Sequence, residues 1–319
     1  MTKARTQLMK EVTSHLVQAG FDVSSECDVR PSCFDMVARR GDKIILIKTL
    51  ANIDAFKKDD AIVLQLVAQF FDAIPLIVGK TTRRGALDDG VLYKRYGVPT
   101  IAPRSFESMI VEEQQPREFI QRGGRFVSID GERLKEVRLS LNMTQEDLAD
   151  CVQVSARAIL AYEKNEMAVS IDAAEKLERA LETDLVIPVD LLSSVAIPED
   201  RPRTAASIEN ADLVKRVSDF FERLEMSVMW TDRAPFHIIA KEDGPPLISG
   251  VGSIRSWALK KRVEILKSVS EVTDSDAVIF VEEGKTEESV SDLPVIRQLE
   301  LDEIDKPHEL KKIISERSD

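Results

Sequence analysis

Apolar residues in the first third of this 319-residue chain follow two spacings in turn, which predicts a mixture of helices and strands. An amphipathic helix is expected near Thr2 to Ala19, stopped by Gly20. Three strand-like stretches follow, FDVSSECDV, CFDMVAR and KIILIKTL, with Gly41-Asp42 as the hairpin turn between the last two. An apolar helix over Asp59 to Phe71 then leads to the buried-type strand Ile74 to Val78, giving the order α-β-β-β-α-β. A helix over Asp88 to Tyr96, a strand over Val98 to Ala102 and a helix from Ser105 complete this segment. The Gln, Pro and Gly-Gly of EEQQPREFIQRGGR predict a linker near residues 112–125.

Beyond it the spacing becomes helical throughout. Leu134, Val137, Leu141, Leu148, Ala149, Val154, Ile159, Leu160, Leu177 and Leu181 all fall on helical faces, which predicts one small all-α core. Thr144 with Asp147 three residues on is an N-cap signature, so a helix is expected from Gln145; Ser155 caps the next one. The two helices, near 145–151 and 156–162, are joined by the short turn 151–154, the geometry of a helix-turn-helix. A polar stretch, PEDRPRTAAS at 198–207, predicts a second linker. The last segment then repeats the first in outline. A helix over Asn210 to Leu224 precedes a strand over Met226 to Thr231, and PFHIIAKEDGPPLISGV stands where CFDMVARRGDKIILIKTL stood, with His237 opposite Asp35 and Ser249 or Gly250 opposite Lys48. A helix over Arg255 to Val269 and the strand 277–284 continue the parallel. The expected architecture is therefore multi-domain α/β plus all-α, with domains at 1–118, 125–195 and 208–319.

Composition narrows the class. Hydrophobic residues at 43% and charged residues at 31% are those of an ordinary globular protein, and no apolar run is long enough to span a bilayer. A cytoplasmic, non-membrane chain is expected. Three scattered cysteines imply no disulfide framework, and three distant histidines lack zinc-ligand spacing, so neither a structural metal nor another cofactor is expected. The net charge of −12 is unevenly spread: residues 125–190 carry eight basic against fourteen acidic side chains. Any phosphate-facing surface there has to be local.

Residues 131–192, and LKEVRLSLNMTQEDLADCVQVSARAILAYEKN above all, resemble the Cro/repressor-type (Xre-like) helix-turn-helix family. The resemblance implies double-stranded DNA as the partner, bound by a homodimer. It assigns Gln145 and Ser155 to phosphate anchoring at two helix N-termini, Ala156, Arg157 and Ala161 to base edges, and Lys164 to a backbone contact. Arg157 is the side chain able to read guanine bidentately. Where that family's turn usually has glycine this chain has Gln153; a left-handed residue there costs a non-glycine about 1–2 kcal/mol, so a less sharp turn is expected, though not its loss.

The N-terminal order resembles the restriction-endonuclease-like PD-(D/E)xK fold, in which two acids hold a divalent metal and a lysine helps activate water. Asp35 matches the first acid and Lys48 the lysine, but Leu46 stands at the second acid and cannot ligate a metal. An inactive lobe is expected, with no catalytic residues. The last segment is read as a second, emptier lobe of the same kind. Gly79-Lys80-Thr81 lacks the first glycine of a phosphate loop, and the basic cluster Lys80, Arg83, Arg84 is read as a solvated loop, with contact to DNA backbone alongside the helix-turn-helix as the alternative. The three-part layout resembles helix-turn-helix transcriptional regulators described in archaea. The expected function is a sequence-specific DNA-binding regulator; the alternatives are a metal-dependent nuclease targeted by the helix-turn-helix, and a helical protein-interaction scaffold.

Overall fold

The computed structural model describes residues 3–29, 31–191, 211–253, 257–282 and 288–318. The expected linker at 198–207 lies outside the described residues.

The N-terminal lobe comprises α1 (Lys3–Gln18), β1 (Asp22–Val23), β2 (Met36–Arg40), β3 (Lys43–Asn52), α2 (Lys58–Phe70), β4 (Ile74–Thr82), β5 (Gly85–Ala86), β6 (Val91–Arg95), β7 (Val98–Ile101) and α3 (Pro103–Val111). The apolar run of β3 suits a central strand: it pairs antiparallel with β2 and parallel with β4, a crossover that α2 makes possible. Alternation in the strands divides the sheet's two faces. Met36, Ala38, Ile45, Ile47, Leu76 and Val78 pack with Leu8, Met9, Val12 and Leu16 of α1 and Phe106, Met109 and Ile110 of α3. Val37, Leu46 and Ile77 look the other way.

Two expectations fail here. Asp88 to Tyr96 is not a helix: β6 pairs with β7 and β8, so tertiary strand pairing overrides the local pattern. The supposed linker near 112–125 contains a hairpin, β8 (Glu118–Gln121) and β9 (Gly124–Ile129), in which Gly123 and Gly124 supply the turn at φ 112° and 141°. Phe119 and Phe126 stack across it, with ring centroids 6.4 Å apart.

The helical module comprises α4 (Gly131–Ser140), α5 (Gln145–Val152), α6 (Ala156–Glu163), β10 (Val169–Ser170), α7 (Ile171–Leu181) and β11 (Val186–Ile187). Its core is not purely helical, because β10 and β11 both pair with β9, whose Val127 and Ile129 join Leu134, Leu148, Ile159 and Leu177. The module is therefore attached to the N-terminal lobe by a continuous sheet rather than a tether. Leu141 and Leu160, expected in this core, are instead exposed.

The last lobe comprises α8 (Ala211–Arg223), β12 (Ser227–Trp230), β13 (Ile238–Lys241), β14 (Leu247–Val251), α9 (Trp257–Thr273), β15 (Asp276–Val281), β16 (Ser289–Val290), β17 (Leu293–Arg297) and α10 (Pro307–Ser318). Its pairing repeats that of the first: β13 antiparallel to β12 and β14, then β14 and β15 parallel. In space the two lobes meet face to face rather than merely flanking the helices. Val37, Leu46 and Phe34 share one core with Phe236, Ile239, Ile248, Val263 and Leu266. Two reciprocal ion pairs frame it, Arg39 with Asp274 and Lys241 with Asp72, each at 2.6 Å. Arg39 and Lys241 occupy matching places in β2 and β13, paired with Asp22 and Ser227 respectively. Asp72 and Asp274 are both left-handed residues within two positions of the ends of equivalent helices. The interface thus has the self-complementary character of a two-fold dimer within one chain.

Candidate nucleic-acid interface

Five side chains fix the helix starts of the central module. Thr144 and Asp147 form a reciprocal capping box, with Asp147 N donating to Thr144 Oγ1 at 3.1 Å and Thr144 N donating to Asp147 Oδ2 at 2.8 Å. The bonds from the Thr144 side chain and then its backbone hold the Asp147 carboxyl below the usual range. Ser155 Oγ accepts from Ala158 N at 3.2 Å, and Asp130 and Ser170 cap α4 and α7 in the same way. Gln153 is left-handed at φ 62°, ψ 44°, as the glycine-less turn requires. So α5 and α6 are joined by the tight turn read from the sequence.

A buried polar network, not legible in the sequence, locks these helices together. Arg138 Nε donates to Glu163 Oε1 at 2.6 Å, Gln145 Nε2 donates to Glu163 Oε2 at 2.7 Å, and Arg138 Nη1 donates to the Met143 carbonyl at 2.7 Å. Gln145 was expected to reach toward phosphate; its amide instead donates to Glu163 while its backbone N–H lies in the first turn of α5. The one sequence signal for this network was an acid, Glu163, placed beside the buried Ile159 and Tyr162.

Arg157 and Lys164 are exposed, and Ala156 and Ala161 are half-buried. Leu160, read from the sequence as core, is 39% exposed on the same helix as Arg157, three residues further on.

The nuclease-like positions are closed. Asp35 is fully buried, and both of its oxygens take hydrogen bonds from the protein. Arg5 Nη2 and Lys48 Nζ reach Oδ1 at 2.5 and 3.2 Å, and Thr49 N and Oγ1 donate to Oδ2 at 2.8 and 2.9 Å. Lys48 also donates to the Ser32 carbonyl. Leu46 is buried in the inter-lobe core and offers no oxygen. These residues do not fit a divalent cation. Arg5, thirty residues away, was not foreseen. Burial pushes the neighbouring Cys33 thiol up to about 12, which keeps it protonated and unreactive.

In the other lobe His237 occupies the place of Asp35. His237 N donates to the Ser249 carbonyl as Asp35 N does to that of Ile47, and Val251 N donates to His237 Nδ1 as Thr49 N does to Asp35 Oδ2. This register makes Gly250, not Ser249, the counterpart of Lys48. Burial, helped by the Arg262 charge, pulls the His237 imidazole down to about 4. Among the described residues no group of three or more His, Cys, Asp or Glu side chains is placed to hold a metal, and no helix is long and apolar enough to cross a membrane.

Comparison with known proteins agrees with this division. Residues 5–116 match the family described as PD-(D/E)XK superfamily domain, and residues 134–187 match the family described as Helix-turn-helix. A protein of Methanobrevibacter smithii named "Putative HTH-type transcriptional regulatory protein" is 32% identical, covering 99% of this chain and 98% of its own length. Relatives of the same designation in Pyrococcus furiosus and Halobacterium salinarum are 35% and 34% identical, each covering 98% or more of this chain and 98% of their own length. No solved structure matches. With a PD-(D/E)XK-type lobe, a helix-turn-helix and relatives matched over nearly their whole length, the chain belongs to this archaeal family of helix-turn-helix-type transcriptional regulatory proteins.

Proposed function

We propose that the protein is a sequence-specific DNA-binding regulator that reads duplex DNA through α6 and cuts nothing. The observation carrying this reading is the exposed Arg157 on a capped helix whose opposite face is packed into a rigid core. Ser155 and Thr144 leave the N-termini of α6 and α5 beside that face, where backbone N–H groups suit phosphate oxygens. Arg157 then reads guanine, Ala156 and Ala161 lie close to the bases, and Lys164 meets the backbone. Two alanines read little beyond thymine methyls, so a second copy is needed for adequate discrimination. The inter-lobe face is filled within the chain, so that second copy joins through another surface.

The nuclease reading has the family match in its favour but lacks the chemistry. Asp35 is neutralised by Arg5 and Lys48, and Leu46 replaces the second acid. The deciding experiment is binding of the full chain to fragments selected from genomic DNA, followed by fluorescence anisotropy across a salt series. Arg157→Ala is expected to weaken the selected site by about 1–3 kcal/mol relative to random duplex. An unchanged preference removes α6 from the reading.

A further inference from the structure

Beside the helical module lies a second basic feature, built from two hairpin turns. β4 and β5 form a short hairpin with Arg83 and Arg84 at its tip, both exposed. The tip is pinned: Arg83 N donates to Asp54 Oδ2 at 2.8 Å, Arg84 N donates to Thr82 Oγ1 at 3.0 Å, and Gly85 takes a φ of 149°. Opposite it the β8–β9 turn carries an exposed Arg122, two residues beyond Ile120. Between the turns is a cleft lined by Asp54, Arg83, Arg84, Asp88, Tyr93 and Ile120. Its carboxylates are already engaged, Asp54 by Arg95 at 3.4 Å and Asp88 by Arg125. Asp89 on the rim is exposed. Arg83, Arg84 and Arg122 have no ion pair among the described residues, in a chain whose acids outnumber its bases by 56 to 44.

Three unpaired guanidiniums on rigid backbone, in a protein that ties down many of its other arginines, form a local cationic edge suited to phosphodiester oxygens. The edge is held in fixed relation to α6. β8 is hydrogen-bonded to β9, and β9 contributes Val127 and Ile129 to the helix-turn-helix core. From Arg125 to Ile129 is about 13 Å along the strand at roughly 3.3 Å per residue. The geometry points to a backbone clamp: Arg83, Arg84 and Arg122 grip duplex DNA phosphates outside the segment read by α6, and lengthen the footprint of each bound copy on one side. This rests on the proposed DNA-binding function and adds to it a further sequence-independent contact outside the acidic helical module.

The test uses the full chain and a selected binding sequence in two lengths, a duplex of about 20 base pairs covering the α6 contact and one of about 40 extending on both sides. Arg83→Ala/Arg84→Ala/Arg122→Ala is expected to bind the longer duplex at least tenfold more weakly at ~0.15 M salt, with a salt slope reduced by about 2–3 per bound copy and a footprint shortened on the outer side of each copy. Its affinity for the short duplex and its preference for the selected sequence stay as in the unaltered chain, which also shows that the module is folded. Arg83→Lys/Arg84→Lys/Arg122→Lys restores most of the slope. Unchanged affinity, slope and footprint on the long duplex overturn the clamp while leaving α6 intact, as they would if the edge served an acidic protein. Equal losses on both lengths also overturn it. Failure of the unaltered chain to bind any duplex removes the DNA-binding reading and the clamp with it.

Discussion

Substituting Glu163 by Gln tests what holds α5 and α6 in position. Glu163 and Arg138 are both buried, with side-chain exposures of 3% and 7%, so neither charge has bulk water to fall back on. In the native module the Glu163 carboxylate receives Arg138 and Gln145, and the guanidinium has one further acceptor, the Met143 carbonyl. A neutral amide leaves Arg138 charged and buried with its main counter-charge gone. Breaking one side of such a pair costs about 3–5 kcal/mol. Because the chain has several cores, the suitable assay is hydrogen exchange of individual amides, which reads local opening. Protection in α4, α5 and α6 is expected to fall roughly a thousandfold, near 4 kcal/mol at 1.36 kcal/mol per tenfold, while the sheets of both lobes keep theirs. Arg138→Met/Glu163→Leu removes both charges and is expected to recover most of the loss, since an apolar pair of similar volume avoids the desolvation of two ions. A change below about 1 kcal/mol in Glu163→Gln, or a double variant as damaged as the single, would show that the network does not fix these helices.

Acidification gives a second test. The folded-state pKa of His237, about 4, lies below the usual 6.5, so its contribution is complete above pH 6.5 and is lost as pH falls toward 4, where the unfolded chain takes up the proton first. The loss amounts to about 3 kcal/mol at most, and His237→Gln should flatten that part of the pH–stability curve measured by urea unfolding. Gln153→Gly relieves a left-handed backbone worth about 1–2 kcal/mol, partly offset by the greater freedom of unfolded glycine. A gain of about 0.5–1 kcal/mol in helix-turn-helix protection is expected, and a loss would mean that the Lys176 contact to Gln153 matters more than the backbone. Leu46→Glu supplies the missing acid of the nuclease pattern but puts a carboxylate into the inter-lobe core, so it should destabilise both lobes by several kcal/mol and yield no magnesium-dependent nicking of plasmid DNA. Nicking by that variant would mean the site opens.

The parts of this structure legible in the sequence are those whose causes are local. Thr144 with Asp147, and Ser155, announce their helices because each cap is satisfied within three residues. The β2–β3 hairpin follows from the Gly41-Asp42 turn between two apolar stretches. Misreadings arise where the partner is distant or the element short. β6 was read as helix because its apolar residues do not specify a period, and its pairing with β7 and β8 decides the matter. The Gly-Gly of the supposed linker marks a turn inside a hairpin, since two glycines serve equally for a tight turn and for a loop. In an eight-residue helix such as α6 the apolar positions leave the inward face ambiguous, and Leu160 was assigned to the core for that reason. Arg5, which neutralises Asp35 from another element, leaves no trace in spacing at all.

The two lobes together explain why a nuclease-like fold can persist here without nuclease ligands. Val37 and Leu46, paired across β2 and β3, lie on the face buried against the second lobe, and Asp35, two residues before Val37, is itself fully buried. On that face an acid at position 35 is useful only if its charge is met inside the protein, and Arg5, Lys48 and Thr49 meet it. The second lobe solves the same packing problem with His237, a neutral acceptor for the same backbone donor, and has Gly250 where the first lobe has Lys48. A Cβ at Gly250 would come within 3.1 Å of Leu259 and 3.3 Å of Leu266, so the lysine's place is taken by the close approach of α9. These positions thus serve an apolar interface between the lobes, and the continuous sheet through β8 and β9 ties the first lobe to the helix-turn-helix.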